Sequence, residues 1–129
     1  MENALRAALI EWLAADPVLS SVLNGVTEET PLRASLPWLA IASSASTDWS
    51  CKTAAGREVR IALELQCRGD TPGAVAPLVA AIEARVETLP AEQPGSQVVT
   101  TRFLRARAEQ RGESRRAVLL EYQFRLLAA

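Results

Sequence analysis

Between Val59 and Arg68 the chain alternates without a break. Val59, Ile61, Leu63, Leu65 and Cys67 share one parity, and Arg60, Ala62, Glu64, Gln66 and Arg68 share the other. Side chains on an extended strand point alternately to its two faces, so this period predicts a strand with one apolar and one polar face. Such a face has to be covered. The cover follows at once: across residues 73–89, Val75, Leu78, Val79, Ile82, Val86 and Leu89 recur at helical spacing, which predicts a helix lying on the sheet. Pro77 falls early in it and predicts a distorted first turn or a start one or two residues later. Gly69, Asp70, Thr71, Pro72 and Gly73 read as the turn before this helix, and Pro90 to Gly95 end it.

The rest of the chain adds elements to that pair. Residues 2–15 place Leu5, Leu9, Trp12 and Leu13 on one helical stripe, stopped by Asp16-Pro17. A short helical stub over residues 18–23 follows, with Asp16 as its cap and Gly25 past its end. Residues 26–36 read as a loop and residues 38–43 as a strand. Residues 44–56 read as a long polar hairpin connection. Residues 97–108 form a mixed strand, with Val98, Leu104 and Ala106 assigned to one face and Val99, Phe103, Arg105 and Arg107 to the other. After a turn at residues 110–114, Val118, Leu120, Tyr122, Phe124 and Leu126 alternate with Ala117, Leu119, Glu121, Gln123 and Arg125 and complete a hairpin. The order is helix, stub, strand, strand, helix, strand, strand. It predicts a single α+β domain over residues 1–129: a mainly antiparallel four-stranded sheet with helices packed on one face.

Several functions are disfavoured at this level. The chain has no histidine, the commonest acid–base group near neutral pH, and Lys52 is its only lysine. No carboxylate pair stands in an apolar setting, so an enzyme is not expected. Cys51 and Cys67 without histidine fall short of a zinc site, and no cofactor or metal is expected. Cys67 continues an apolar strand face and reads as a buried thiol. No apolar run approaches a membrane span, and Glu2 and Glu11 within the first apolar pattern argue against a signal peptide. Cytosolic synthesis is expected, with the protein staying there or in a particle built there.

Charge is unevenly distributed. Up to Thr100 there are 7 basic and 12 acidic side chains, a net of −5; from Thr101 there are 7 basic and 3 acidic, a net of +4. The basic end is entirely arginine: Arg102, Arg105, Arg107, Arg111, Arg115, Arg116 and Arg125. One acidic and one basic region suit the head-to-tail contact that a closed ring of identical copies needs, and arginine pairs bidentately with carboxylates. Two other readings stay open: a solvated hairpin with weak cross-strand pairs, and a nucleic-acid-binding stripe. Trp49 lies among Thr47, Asp48 and Ser50, so it either folds back on the sheet or anchors a partner. Trp12 and Trp38 read as core. Asp48, Lys52, Arg57 and Glu58 are expected to form a local ionic network or to reach a neighbouring subunit.

The element order resembles a known family, as do the segments Leu36-Pro37-Trp38-Leu39, Thr47-Asp48-Trp49-Ser50-Cys51-Lys52 and Gly56-Arg57-Glu58. It is the phage tail-completion family, which includes tail terminators of long-tailed phages and gene transfer agents. The resemblance spans essentially the whole chain. It implies a structural virion protein without catalytic residues, assembled as a homo-hexameric ring in the tail of a particle built in the bacterial cytoplasm. Its implied partners are other copies of itself, the tail-tube protein and a head-completion or connector protein. DNA is then expected to pass through the lumen without specific binding, and no membrane partner is expected. Interface residues are then expected among Asp48, Trp49, Lys52, Arg57, Arg102, Arg105, Arg107, Arg111, Arg115 and Arg116. The competing readings are a connector stopper or adaptor and a small nucleic-acid-binding module. Size permits a ring: a compact chain of this length is about 36 Å across, and six such spheres leave an opening about one subunit wide.

Overall fold

A computed structural model describes residues 1–69 and 72–129; the turn expected at Asp70 and Thr71 lies outside the described residues. The described residues form three helices, α1 (Glu2–Ala14), α2 (Pro17–Val22) and α3 (Ala76–Glu87), the last preceded by a 3-10 turn at Pro72–Val75. The strands are β1 (Gly25–Thr27), β2 (Trp38–Asp48), β3 (Gly56–Arg68), β4 (Glu92–Gln93), β5 (Ser96–Gln110) and β6 (Arg115–Ala128). They make one sheet in the order β1-β2-β3-β6-β5-β4, parallel only between β1 and β2. The α+β class stands, but the four-stranded description is corrected to six strands. The two additions are three and two residues long, too short to carry a readable period.

Local chemistry sets the helix limits. In α1, Leu5, Leu9 and Leu13 recur once per turn and are buried. The Asp16 carboxylate caps α2 by accepting the Leu19 N–H at 3.0 Å, with Pro17 at the first helical position. Pro77 falls in the first turn of α3, where its missing N–H costs nothing. Trp12 and Arg85 staple α1 to α3. The indole N–H donates to the Arg85 carbonyl at 2.9 Å, and Arg85 Nε donates to the Trp12 carbonyl at 2.8 Å. The guanidinium lies 3.5 Å above the indole ring. Trp12 is thus half-buried against the core. Trp38 is also half-buried, its ring under Gly25 and its indole N–H on Thr27 Oγ1 at 2.9 Å.

β2 runs five residues beyond its expected end at residue 43. The helix-facing positions of the extension are serines, satisfied by α1: Arg6 Nη1 donates to Ser44 Oγ at 3.0 Å, and Ser46 Oγ donates to Glu2 Oε1 at 2.8 Å. An extra residue between Ile41 and Ser43 also breaks the alternation. The core lies between the helices and the inner face of the sheet, where Leu9, Leu13, Ile61, Leu63, Leu65, Ile82, Leu120, Tyr122 and Phe124 are fully buried. Cys67 is buried there and Cys51 is exposed.

Candidate interaction surfaces

The segment from Asp48 to Glu58 is a closed hairpin end. Trp49 N–H donates to the Gly56 carbonyl at 2.9 Å, and Gly56 N–H donates to Ser50 Oγ at 2.9 Å. Ser50 Oγ donates in turn to Asp48 Oδ1 at 2.7 Å. A side chain at residue 56 is excluded, because its Cβ would stand 2.4 Å from the Trp49 carbonyl oxygen and 2.8 Å from that of Leu126. Trp49 is half-buried, with the Arg125 guanidinium 5.4 Å from its ring centre. Arg125 in turn pairs with Glu58 at 3.1 Å. Trp49, Arg125 and Glu58 therefore join the hairpin end to β6. Asp48 and Arg57 are register partners, yet no ion pair joins them and Lys52 has none among the described residues. Of the four charges expected in a local network, only Glu58 is ion-paired here, with an arginine from another strand.

The arginine-rich end lies on β5 and β6. Two bulges in β5, one between Val98 and Thr100 and one between Phe103 and Arg105, each insert a residue and flip the parity of the strand. Arg102, Arg105 and Arg107 therefore stand opposite Gln123, Glu121 and Leu119 on the outer face. Phe103, Ala106 and Ala108 stand opposite Tyr122, Leu120 and Val118 on the inner face. The expected grouping of Phe103 with Arg105 and Arg107 is corrected by the second bulge, and Phe103 meets Tyr122 edge-on at 5.6 Å.

Most of these arginines meet carboxylates of their own chain. Arg105 pairs with Glu121, Arg107 with Glu109 at 3.2 Å, and Arg111 with Glu109 at 2.9 Å and Glu64 at 3.2 Å. The two carboxylates hold the Arg111 guanidinium pKa above its ordinary value, the Glu64 hydrogen bond contributing most. Arg102 and Arg115 are exposed and have no ion pair among the described residues; Arg115 stands in register with Arg68. Arg116 is half-buried.

The acidic and basic portions of the sequence become two sides of the fold. The helices and the α2 cap carry Glu2, Glu11, Asp16, Glu83 and Glu87 against Arg6 and Arg85. The outer sheet face carries Arg60, Arg68, Arg102, Arg105, Arg107, Arg115 and Arg125 against Glu58, Glu64, Glu109 and Glu121. The Glu2 carboxyl is held down at about 2, first by a hydrogen bond from its own backbone N–H and then by the Ser46 hydroxyl. The Tyr122 phenol is raised, first by burial and then by Glu83 and Glu87.

Two apolar surfaces were not singled out from sequence. One is a groove of about 350 Å³ lined by Val18, Val22, Leu36, Pro37, Val75 and Leu78. The other is the inner face of β5, where Phe103 remains 44% exposed. Val18 and Val22 sit one helical turn apart, a spacing that could have flagged the groove. No group of three or more potential metal ligands occurs among the described residues. No helix among them is long and apolar enough to cross a membrane.

Comparison with known proteins gives two findings. The family model described as "Tail completion protein gp17" matches residues 7–127. A chain of the solved structure "Virion of native gene transfer agent (GTA) particle" shares the fold with a TM-score of 0.84 at 21% identity, covering 98% of this chain and 96% of that one. Comparison with curated proteins gives no match.

Proposed function

The chain belongs to the tail completion protein gp17 family, and from that membership we propose that it is a tail terminator: a homo-hexameric ring on the last ring of tail-tube protein. As a member of that family it is a structural protein of a phage-like tail. The ring stops further growth of the tube and offers its other side to a head-completion or connector protein. DNA passes through its lumen without specific binding, and the protein does no catalysis.

The family match over residues 7–127 carries this reading. The likeness in fold to a gene transfer agent virion chain accords with it. The opposed charge of helix side and sheet side gives identical copies unlike surfaces to present to different partners. Imaging of particles assembled without the protein tests the role. Overlong tube is the expected result. Tails of normal length that lack heads or leak DNA would refute termination and assign the chain to a connector stopper or adaptor. Mass measurement of the ring on purified tails tests the sixfold count.

A further inference from the structure

We infer that successive copies in the ring are joined by the Leu32–Arg33 loop of one copy seating on the inner face of β5 of the next, beside α3. This rests on the ring reading above and adds the contact that would build it. Leu32 is 102% exposed, the most exposed large apolar side chain in the fold, and it projects from the loop joining β1 to β2. Pro31 precedes it and Arg33 follows it, exposed and with no ion pair among the described residues. An apolar side chain held in water beside a free cation is suited to a surface that is apolar and flanked by carboxylates.

The same chain carries such a surface on β5. The bulge between Phe103 and Arg105 turns Phe103, Ala106 and Ala108 to the inner face, where all three remain exposed. Phe103 lies edge-on to Tyr122, which fixes its ring as a floor. Glu83 and Glu87 follow the buried Ile82 and Val86 by one residue and share one side of α3. Arg85, midway between them, is turned toward α1 by its bonds with Trp12, so Glu83 and Glu87 lie on the side of α3 away from α1. The knob loop lies with Gln66, Arg68 and Arg115 at the ends of β3 and β6 and the shelf is the inner face of β5, so knob and shelf are different surfaces, the heterologous arrangement that a ring requires.

Cross-linking and mixing of full-length variants test the contact. In a Cys51→Ser background, Leu32→Cys with Phe103→Cys should give a ladder of covalent oligomers with a short bismaleimide. Leu32→Cys with Val22→Cys, in the apolar groove, should not. Leu32→Asp and Ala106→Arg should each weaken self-association about tenfold or more, as expected for losing one buried leucine contact. Mixing those two variants should restore dimers and no larger species, because one intact knob meets one intact shelf. Arg33→Glu should weaken assembly, and adding Glu83→Arg and Glu87→Arg should restore it. If the unmodified protein forms rings and both point variants assemble like it, or if Leu32 cross-links to Val22 instead, the contact is wrong and the ring reading stands. If the unmodified protein is a monomer at every concentration and on tail tubes, both fall.

Discussion

Replacing Gly56 by alanine is the most demanding test of the hairpin end. The added Cβ would lie 2.4 Å from the Trp49 carbonyl oxygen and 2.8 Å from the Leu126 carbonyl oxygen. Both atoms are backbone, so no rotamer change relieves the overlap. Relief requires moving β3 away from the Trp49 strand end or from β6. The first movement loses the bonds from Trp49 N–H to Gly56 and from Gly56 N–H to Ser50, each contributing about 1 kcal/mol. The second disturbs the pairing of Gly56 with Leu127. With overpacking strain of about 1–3 kcal/mol where relief is incomplete, the expected loss is roughly 3 kcal/mol. For a domain of this size that is a fall in Tm on the order of 10–15 °C. Thermal and urea unfolding followed by circular dichroism would measure it. Gly73→Ala serves as the control, because a Cβ there meets nothing within 4 Å, and it should be neutral or stabilising by about 0.5 kcal/mol. A Gly56→Ala protein within about 1 kcal/mol of the parent would refute the argument from close approach.

Three further outcomes are expected. Arg85→Ala should cost roughly 2 kcal/mol in urea unfolding, from the lost stacking on Trp12 and the unpaired Trp12 carbonyl, and Arg85→Lys should recover only part of it. Glu2→Gln should be less stable than the parent above about pH 4.5. Because the folded carboxyl sits near 2 against an ordinary 4.5, that gap should close as pH falls from 4.5 toward 2, and a gap independent of pH would contradict the assignment. Glu109→Gln with Glu121→Gln should free Arg105 and Arg107 from their pairs. Duplex DNA binding should then strengthen and its salt dependence steepen by about 0.9 in log–log slope per phosphate newly contacted, whereas an unchanged slope would mean that these arginines do not face DNA.

What could be read in the sequence depended on unbroken period. β3 and α3 repeat without insertion: Val59, Ile61, Leu63, Leu65 and Cys67 are buried as expected, and of the expected helical stripe Ile82, Val86 and Leu89 are buried while Val75, Leu78 and Val79 are only partly so. β5 broke the rule: each bulge shifts parity by one, so a fixed alternation carried from Val98 put Phe103 on the wrong face. Counting outward from the β5–β6 turn would have done better. Gln110 opposite Arg116 leads by direct steps to Arg105 opposite Glu121, before either bulge intervenes. β2 was cut short because its inner face turns from leucine to serine, and only the α1 side chains that meet those serines make the extension intelligible. The Trp49–Arg125–Glu58 link unites three positions distant in sequence, and no local pattern announces such a contact. The arginines were visible as a count. Their carboxylate partners were not, since Glu64 comes from a strand that meets the β5–β6 turn only in the folded sheet.

Those pairings alter what the basic end of the chain can do. An arginine held by a neighbouring carboxylate presents little net charge to a third party and must give up a bond to take a phosphate. Arg105, Arg107, Arg111 and Arg125 are all in that state, and Arg102 and Arg115 are exposed without an ion pair among the described residues. The outer face thus carries paired guanidinium groups together with Arg60, Arg68, Arg102 and Arg115, which have no ion pair among the described residues. On the proposed function, in which DNA slides through a ring, the pairing has a physical advantage. Each unopposed cation facing the duplex would release counterions on contact and add affinity, and affinity gained at each step of passage slows the next. Paired arginines keep the same face polar and wet without gripping, while their planar groups order the long β5–β6 hairpin across the outer sheet. On that proposal the solvated-pair reading of these residues and the conduit reading of the protein describe one arrangement: side chains that pair within the fold offer a passing duplex less to hold than the same side chains unpaired.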